Sequence, residues 1–500
     1  MTNTIETNIR FSASRLWRDQ KKYYDEKGID AWEDDVPFYI TSNPFIARAY
    51  AETAISFMQD WLQQEKNNAV GAEPFYILEL GSGTGQFSFY FLKSFLEIQK
   101  TLQLEHIRIR YVMSDVTSKS FDFWEKHAAF QPYLVAGILD FAVLDLYDAN
   151  NILLHRAQKN LADIKHPLII IANYLFDSIA TDVFTVEDGK LYESKVTVKM
   201  PEGAENLKKA KVSYREFPIK DNYYHNEFDT LLFAYEKKLI DTHFQFPIAS
   251  LQALNQLKSL SQNRFLLLTS DKGCARIEEL DHSDYPELDF HGSFSVMMNY
   301  HALGEFVKQH NGDFYVQAFR EHIVSGVYAF GFTLAHFPQT QWRIKQMIHG
   351  FSPTDYFILY ESFIARYKKF TLEEMSSYLN LSNWDPYLFS EIEGKLCDLA
   401  GEGEADVVSY LAEHMHLIAD NFYYLPSAED VFFSIGVFFQ NIGRFFDAMK
   451  YYERSVQFFG EDDITLYNMG MCAHSLGDKN KAVAFLESAK KLKTQIPDKK

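Results

Sequence analysis

Cysteine is scarce in this chain: Cys274, Cys397 and Cys472 are the only three in 500 residues, and they lie far apart without a Cys-x-x-Cys or Cys/His pairing. That spacing suggests neither a disulfide framework nor a zinc site, so no metal is expected and a reducing compartment is the default. Positive charge is also short. The 49 Lys and Arg stand against 68 Asp and Glu, for a formal charge of −19. A nucleic-acid partner or an anionic membrane surface is therefore not expected, because phosphate binding depends on clustered Lys and Arg. The acidic excess suits a cationic ligand or a basic protein substrate, or serves only solubility. Long apolar runs are missing too. No stretch reaches the roughly 18 apolar residues of a membrane span, and the N-terminal MTNTIETNIRFSASRLW has no apolar segment of the secretory kind. A soluble, cytoplasmic protein is expected.

What the chain does have is length and aromatic side chains. Five hundred residues exceed one ordinary domain, and two or three are expected. Aromatics make up 16% of the sequence, with 44 Phe and 30 Tyr, which points to thick packed layers or extended aromatic surfaces. The organising stretch is FYILELGSGTGQFSFYFLKSFLEI at 75–98. Phe75 to Leu80 reads as a buried strand, and Gly81, Gly83 and Gly85 allow a tight turn and close approach of a ligand to the backbone. A helix then starts near Thr84, with Phe87, Tyr90, Phe91 and Phe95 at helical spacing. The dinucleotide fingerprint does not fit, since the third glycine comes one residue early, and no Gly-Lys-Ser/Thr follows as in a P-loop. Glu-x-Gly-x-Gly-x-Gly resembles motif I of the class I S-adenosylmethionine (SAM)-dependent methyltransferases. Their cofactor is cationic and lacks phosphate, so an acid such as Glu79 beside the turn makes sense. The plainer reading is a glycine-rich turn of an α/β sheet.

Along the chain, residues 1–36 read as one or two lead-in helices, and Phe38 to Ser42 as a short extended piece ended by Asn43-Pro44. A long helix with Ile46, Ala49, Tyr50, Ile55, Met58 and Leu62 on one side follows, then a loop over 63–74. After the glycine helix come strands Ile107 to Met113, Phe141 to Leu144 and Leu168 to Ala172, with helices expected over 117–131 and 150–162. This alternation predicts a doubly wound parallel sheet, whose ligand sits beyond the carboxyl ends of the strands. Glu79, Asp115, Asp145, Asn173 and Asp177 all stand at or just past such ends. Asp115 would accept hydrogen bonds from ribose hydroxyls, and Asp145 would take the adenine amine. The plainer reading of each is a helix cap. Asp188-Gly189 between alternating runs predicts a hairpin in an insertion at about 183–240. Phe265 to Thr269, a helix after MMNYHALGEF, and Asp313 to Phe319 complete the sheet.

Four segments are together similar to the MidA family of methyltransferases, whose mitochondrial members assist assembly of respiratory complex I. PFYITSNPF is similar to the family's D-F-x-T-S-P-E-I, ELGSGTGQF to E-L-G-P-G-R-G-T-L, ANYLFDSIATDVF to A-N-E-F-F-D-A-L-P-V-x-x-F, and MMNYHALGEF to H-V-D-F-S-A-L. The resemblance implies cofactor binding by Thr41, Ser42, Glu79, Gly81, Gly83 and Gly85, an active centre at Asn173 and Asp177, and methylation of a protein arginine. Tyr174 stands where the family has Glu, Met297 where His is common and Asn299 where the family has Asp. Tyr174 would supply a hydroxyl or an aromatic face for a cation, or simply pack.

The last part of the chain reads as helical. A shift of 34 residues pairs Gly436 with Gly470, Phe432 with Leu466, Gly443 with Gly477, Ala448 with Ala482 and Tyr452 with Leu486, which resembles the tetratricopeptide repeat. The expected division is a lead-in and cofactor-covering segment at 1–74, a SAM-dependent methyltransferase domain at 75–335, a helical linker domain at 336–427 and repeats at 428–500. The repeats would recruit a protein substrate or assembly partner, or act as a cap on the fold or on a homodimer. Two further readings stay open: a non-catalytic adaptor on a methyltransferase fold, and a small-molecule O- or N-methyltransferase with a narrow aromatic pocket.

Overall fold

The computed structural model of the chain describes residues 2–28, 39–65, 73–201, 209–291, 293–318 and 323–495. They divide into two compact units, Met1–Asp355 and Tyr356–Lys500.

The first unit is built on a nine-stranded sheet. Its strands, numbered along the chain, are β1 (Phe75–Leu80), β2 (Ile109–Asp115), β3 (Leu139–Val143), β4 (Ile152–Leu154), β5 (Lys159–Leu161), β6 (Leu168–Asn173), β7 (Phe265–Asp271), β8 (Asp313–Val316) and β9 (Val324–Phe330), in spatial order β8-β9-β7-β6-β1-β2-β3-β4-β5. The centre is parallel: β1 pairs with β2 from Phe75↔Ile109 to Leu80↔Ser114 and with β6 from Ile77↔Ile169 to Leu80↔Ala172. β9 runs antiparallel to both β7 and β8. Central strands carry unbroken apolar runs because helices cover both faces; in β6 every residue but the terminal Asn173 is buried. Strand order reverses between β1 and β6, which opens a crevice past their carboxyl ends. This is the expected class I methyltransferase-like α/β fold, made mixed by its outer strands.

Three local expectations are corrected. Residues 150–162 form the β4–β5 hairpin and not a helix. The buried Asp140 side chain accepts from the Arg156 and Ala157 backbone N–H groups, so the chain is held in a turn where a helix would have continued. Residues Tyr39–Thr41 are a 3-10 turn and not extended, because the Asn43 amide donates to the carbonyls of Tyr39 and Ile40 and its oxygen caps Ile46 N–H; Phe38 lies outside the described residues. The N-terminus begins not with a helix but with strand Thr2–Ile9, followed by helix α1 (Arg15–Lys27). The long helix, α2, spans Pro44–Gln64, and the glycine helix, α3, spans Gln86–Thr101.

Strand Thr2–Ile9 belongs to a second, five-stranded sheet. It pairs antiparallel with Lys190–Pro201, which also pairs with Asp182–Glu187 and Lys211–Pro218, while Asp182–Glu187 pairs with Thr242–Phe246. The expected hairpin is there, Glu187 facing Lys190 across Asp188-Gly189, both at positive φ.

The second unit is helical. Its core runs from Phe363 to Ala489, joining helices Leu372–Leu381, Pro386–Ala400 and Ala405–Asp420 to two helix pairs, Val431–Asn441 with Phe445–Phe459 and Asp463–Ser475 with Lys479–Gln495. The 34-residue correspondence is spatial as well: a Cβ on Gly436 would stand 2.5 Å from the Tyr452 ring, and one on Gly470 would stand 2.8 Å from Leu486. In each pair the small residue of the first helix seats the large one of the second. Despite the better helix propensity of alanine, Gly436→Ala should lower the stability of this unit by about 1–3 kcal/mol through overpacking. Denaturant titration followed by tyrosine and tryptophan fluorescence would check this, and an unchanged midpoint would contradict the packing.

Candidate active site

At the end of β1 the chain turns into α3 through a loop only glycine tolerates. Gly81, Gly83 and Gly85 hold φ of 69°, 53° and 83°, a left-handed backbone that costs any residue with a Cβ. Gly85 is the N-cap of α3. Beneath the loop Glu79 is 5% exposed, and its Oε2 accepts from Ser82 Oγ (2.9 Å), Tyr111 hydroxyl (2.9 Å) and Ser88 Oγ. Burial pushes the Glu79 carboxyl up from its ordinary value, and the three hydroxyls pull it back only in part.

Two adjoining cavities open along this edge. The larger encloses about 1030 Å³ including its open mouth and is lined by Asp115, Asp145, Tyr147 and Leu175, with Trp17, Lys21 and Tyr24 from α1. The smaller, about 460 Å³, is lined by Thr41, Ser42, Glu79, Ser82, Thr84 and Asn173. Leu80, Gly81, Gly83 and Tyr174 line both. The residues expected from the sequence are thus brought to one edge but divided. Asp115 and Asp145 face one space, Thr41, Ser42, Glu79 and Asn173 the other, and Gly85 and Asp177 line neither.

Each polar group has a distinct environment. Burial drives the Asp115 carboxyl up to about 7; Asp25 and Glu79 add to this, while the Val116 and Gly83 N–H groups oppose it. Asp145 behaves oppositely. Burial pushes it up, but the Lys21 ammonium at 2.7 Å and Tyr147 N–H at 3.0 Å outweigh burial and hold it below the usual carboxylate value. Asn173 Oδ1 accepts from the Tyr50 hydroxyl (3.0 Å) and Ser270 N–H (3.1 Å), which leaves its buried Nδ2 without a partner among the described residues. Such an orphaned donor beside a cavity fits a ligand that supplies an acceptor.

Tyr174 follows at φ 49°, a left-handed conformation that costs a bulky residue about 1–3 kcal/mol. Burial raises its phenol well above the ordinary value, and Asp177, Asp271 and Asp289 raise it further, so the hydroxyl keeps its proton near neutrality. Asp177 is 1% exposed beneath this turn, where its Oδ1 accepts from Ser178 Oγ at 2.7 Å.

Helix α1 supplies what sequence reasoning missed: Trp17, Gln20, Lys21 and Tyr24 all line the larger cavity. It is pinned there by Trp17 Nε1–H to Phe11 O (2.9 Å), Gln20 Nε2–H to Phe294 O (2.8 Å), and Tyr24 hydroxyl with Ser293 Oγ (2.8 Å). Two aromatics on one side of an otherwise charged helix were the available signal. Among the described residues, no three His, Cys, Asp or Glu are placed to hold a metal ion, and no helix is long and apolar enough to cross a membrane.

Residues 53–278 match a protein-family model described as "Putative S-adenosyl-L-methionine-dependent methyltransferase", and residues 465–495 match a tetratricopeptide-repeat model. The first match contains the glycine loop, Asp115, Asp145 and the turn at 173–178. No curated protein matches the sequence. Among solved structures, a COG1565 superfamily member from Burkholderia thailandensis bound to S-adenosyl-homocysteine (SAH) covers 65% of this chain and 95% of its own, at 10% identity and a TM-score of 0.38. N-methyltransferase NodS from Bradyrhizobium japonicum, in complex with SAH, covers 63% and 99%, at 9% identity and a TM-score of 0.26. Strand order and the family match define a SAM-dependent methyltransferase fold, with SAM as its cofactor.

The raised Asp115 carboxyl makes a signed prediction. A folded-state value above the unfolded one means that its contribution to stability is present below about pH 4 and is lost as the pH rises toward 7. Asp115→Asn should therefore melt higher than the wild type at pH 8, with the gap closing toward pH 4, while SAH affinity falls at least tenfold. Thermal melts and calorimetry across that range would check both.

Proposed function

We propose that the protein transfers a methyl group from SAM to a protein side chain, an arginine, and that the C-terminal repeats recruit the substrate or an assembly partner. The observation that carries this is the meeting of the two cavities at Tyr174, with acids at the ends of β2 and β3 on one side and small polar groups on the other. In this reading Asp115 accepts from the ribose hydroxyls, and Asp145, held by Lys21, borders the adenine. Gly81 and Gly83 let the backbone approach the cofactor, with Gly85 closing the loop onto α3. Thr41, Ser42 and the free Asn173 Nδ2 hold the methionine carboxylate, and Glu79 fixes the loop from below. SAM supplies an electrophilic methyl on a cationic sulfur.

Most of the rate would come from placing the acceptor in line with that methyl. A guanidinium holds its proton above pH 12, so the site needs negative charge and oriented acceptors around it. Tyr174 offers the acceptor its phenol and ring face. Asp177 lines neither cavity, so in this conformation it acts through the turn that carries Tyr174 and supplies charge from beneath. The net charge of −19 suits a basic protein substrate. A small-molecule acceptor is the second reading, favoured by the aromatic walls of the larger cavity, Trp17, Tyr24, Tyr147 and Tyr174.

Calorimetric titration with SAM and SAH, beside Gly83→Arg, tests the pocket. Micromolar binding lost in the variant supports it, and no binding by the wild type sinks the enzyme. Methyl-labelled SAM incubated with cellular protein and with metabolite extract then separates the acceptors. Label on arginine supports the leading reading, label on small molecules the second, and binding without transfer points to an adaptor. Tyr174→Phe should keep SAH affinity within threefold and cut transfer at least tenfold.

A further inference from the structure

The turn that carries Tyr174 is held from outside itself. β7 ends on Asp271, which is fully buried. One of its oxygens, Oδ2, accepts from the backbone N–H groups of Leu175 and of Asp177, both at 3.0 Å, while Oδ1 accepts from Lys272 N–H at 2.9 Å. Its neighbour Ser270 adds two ties, donating its N–H to Asn173 Oδ1 and accepting Tyr174 N–H at 3.0 Å. Four points of the turn, at 173, 174, 175 and 177, are thus fastened to the last two residues of one strand.

What the turn carries makes this matter. Leu175 lies over the glycine loop, its Cδ1 3.2 Å from where a Gly81 Cβ would stand, and it lines the larger cavity. Tyr174, in its strained left-handed conformation, lines both cavities. A left-handed tyrosine relaxes unless its neighbours over-determine it. Burial, together with the neighbouring Asp177 carboxyl, raises the Asp271 carboxyl well above the ordinary range.

We propose that Asp271 is a positioning residue of the cofactor site, gripping the Leu175 and Asp177 amides so that Tyr174 and Leu175 face the cofactor across the glycine loop. It touches neither cofactor nor acceptor. The proposal rests on the methyl-transfer reading for its purpose, but the grip itself is measurable without a substrate.

The test compares Asp271→Leu, which removes the acceptor at similar size, with Asp271→Asn, which keeps a carbonyl oxygen for the two amides. Three quantities are read on the full chain: melting temperature, SAH affinity by calorimetry, and hydrogen exchange of the peptide containing 173–178. The leucine variant should exchange at least tenfold faster at Leu175 and Asp177 and bind SAH at least tenfold more weakly. Asparagine should recover most of both, a rescue that a merely space-filling role would not produce. The proposal is overturned if folded Asp271→Leu matches the wild type in both readouts, if exchange rises while SAH affinity stays unchanged, or if asparagine rescues neither. Should the leucine variant not fold, Asp271→Asn against Asp271→Ser gives the same contrast, and equal behaviour of the two overturns the proposal. If the wild type binds no SAH, the methyl-transfer reading falls on its own, and the exchange contrast alone then decides whether Asp271 holds the turn.

Discussion

One buried carboxylate oxygen, Glu79 Oε2, is the constraint on which the site's geometry depends. It is tied to a hydroxyl of the glycine loop (Ser82), one of α3 (Ser88) and one of β2 (Tyr111). A buried acid is costly unless its lone pairs are used, and here their use joins a strand, a loop and a helix. The loop is further tied by Ser82 N–H to Ser114 O, while Ser114 Oγ donates to Glu79 O. With the loop fixed, the glycines can hold left-handed angles without the loop wandering, and a backbone surface is presented to a ligand.

The opposite wall follows the same logic with different parts. Asn173, Tyr174, Leu175 and Asp177 are tied to the end of β7, and Tyr50 reaches from α2 to both Asn173 and Ser270. Apart from Asn173 Nδ2, these ties satisfy buried polar groups from within the fold, and the same geometry holds a tyrosine in a strained conformation between two cavities. Negative charge is graded across the site. Asp145 pairs with Lys21, which holds its carboxyl below the usual range, burial pushes the Asp115 carboxyl up to about 7, and burial with the neighbouring Asp177 raises that of Asp271 well above the ordinary range. Only the first two face the larger cavity, so the charge that meets a cationic cofactor sits at the adenosine end in the proposed reading.

The helical unit solves a simpler problem. Two helix pairs repeat one packing contact, glycine against a large side chain, and Gly443 and Gly477 turn the chain at equivalent points with φ of 76° and 83°. Two pairs bury too little alone. Helices Pro386–Ala400 and Ala405–Asp420 extend the same core, as when Cys397 Sγ and O meet Ser434 O and Asn441 Nδ2. That shared core explains why the whole segment forms one compact body.

Much of the architecture was legible along the chain because its causes are local. The run FYILEL, the alternating glycines and Asp188-Gly189 each act over a few residues, and the 34-residue repeat acts within one helix pair; each produced the strand, turn, hairpin or helix pair expected. The failures have a common origin. Residues 150–162 have helical content but form a hairpin because Asp140, a residue from another strand, captures their amides. Residues 1–36 read as lead-in helices, yet strand Thr2–Ile9 finds a partner nearly 200 positions away, at Lys190–Pro201, and α1 is thereby delivered to the edge of the larger cavity. The sequence by itself determined that the chain has an α/β sheet with a glycine loop at its centre and acids at its strand ends, since strand periodicity, glycine conformation and strand-end position are all encoded in neighbours. Only the tertiary structure decided which acids face a cavity, that Asp177 lies buried against Asp271, and that Lys21 and Tyr24 join the site, because burial and pairing depend on residues brought together across the whole fold.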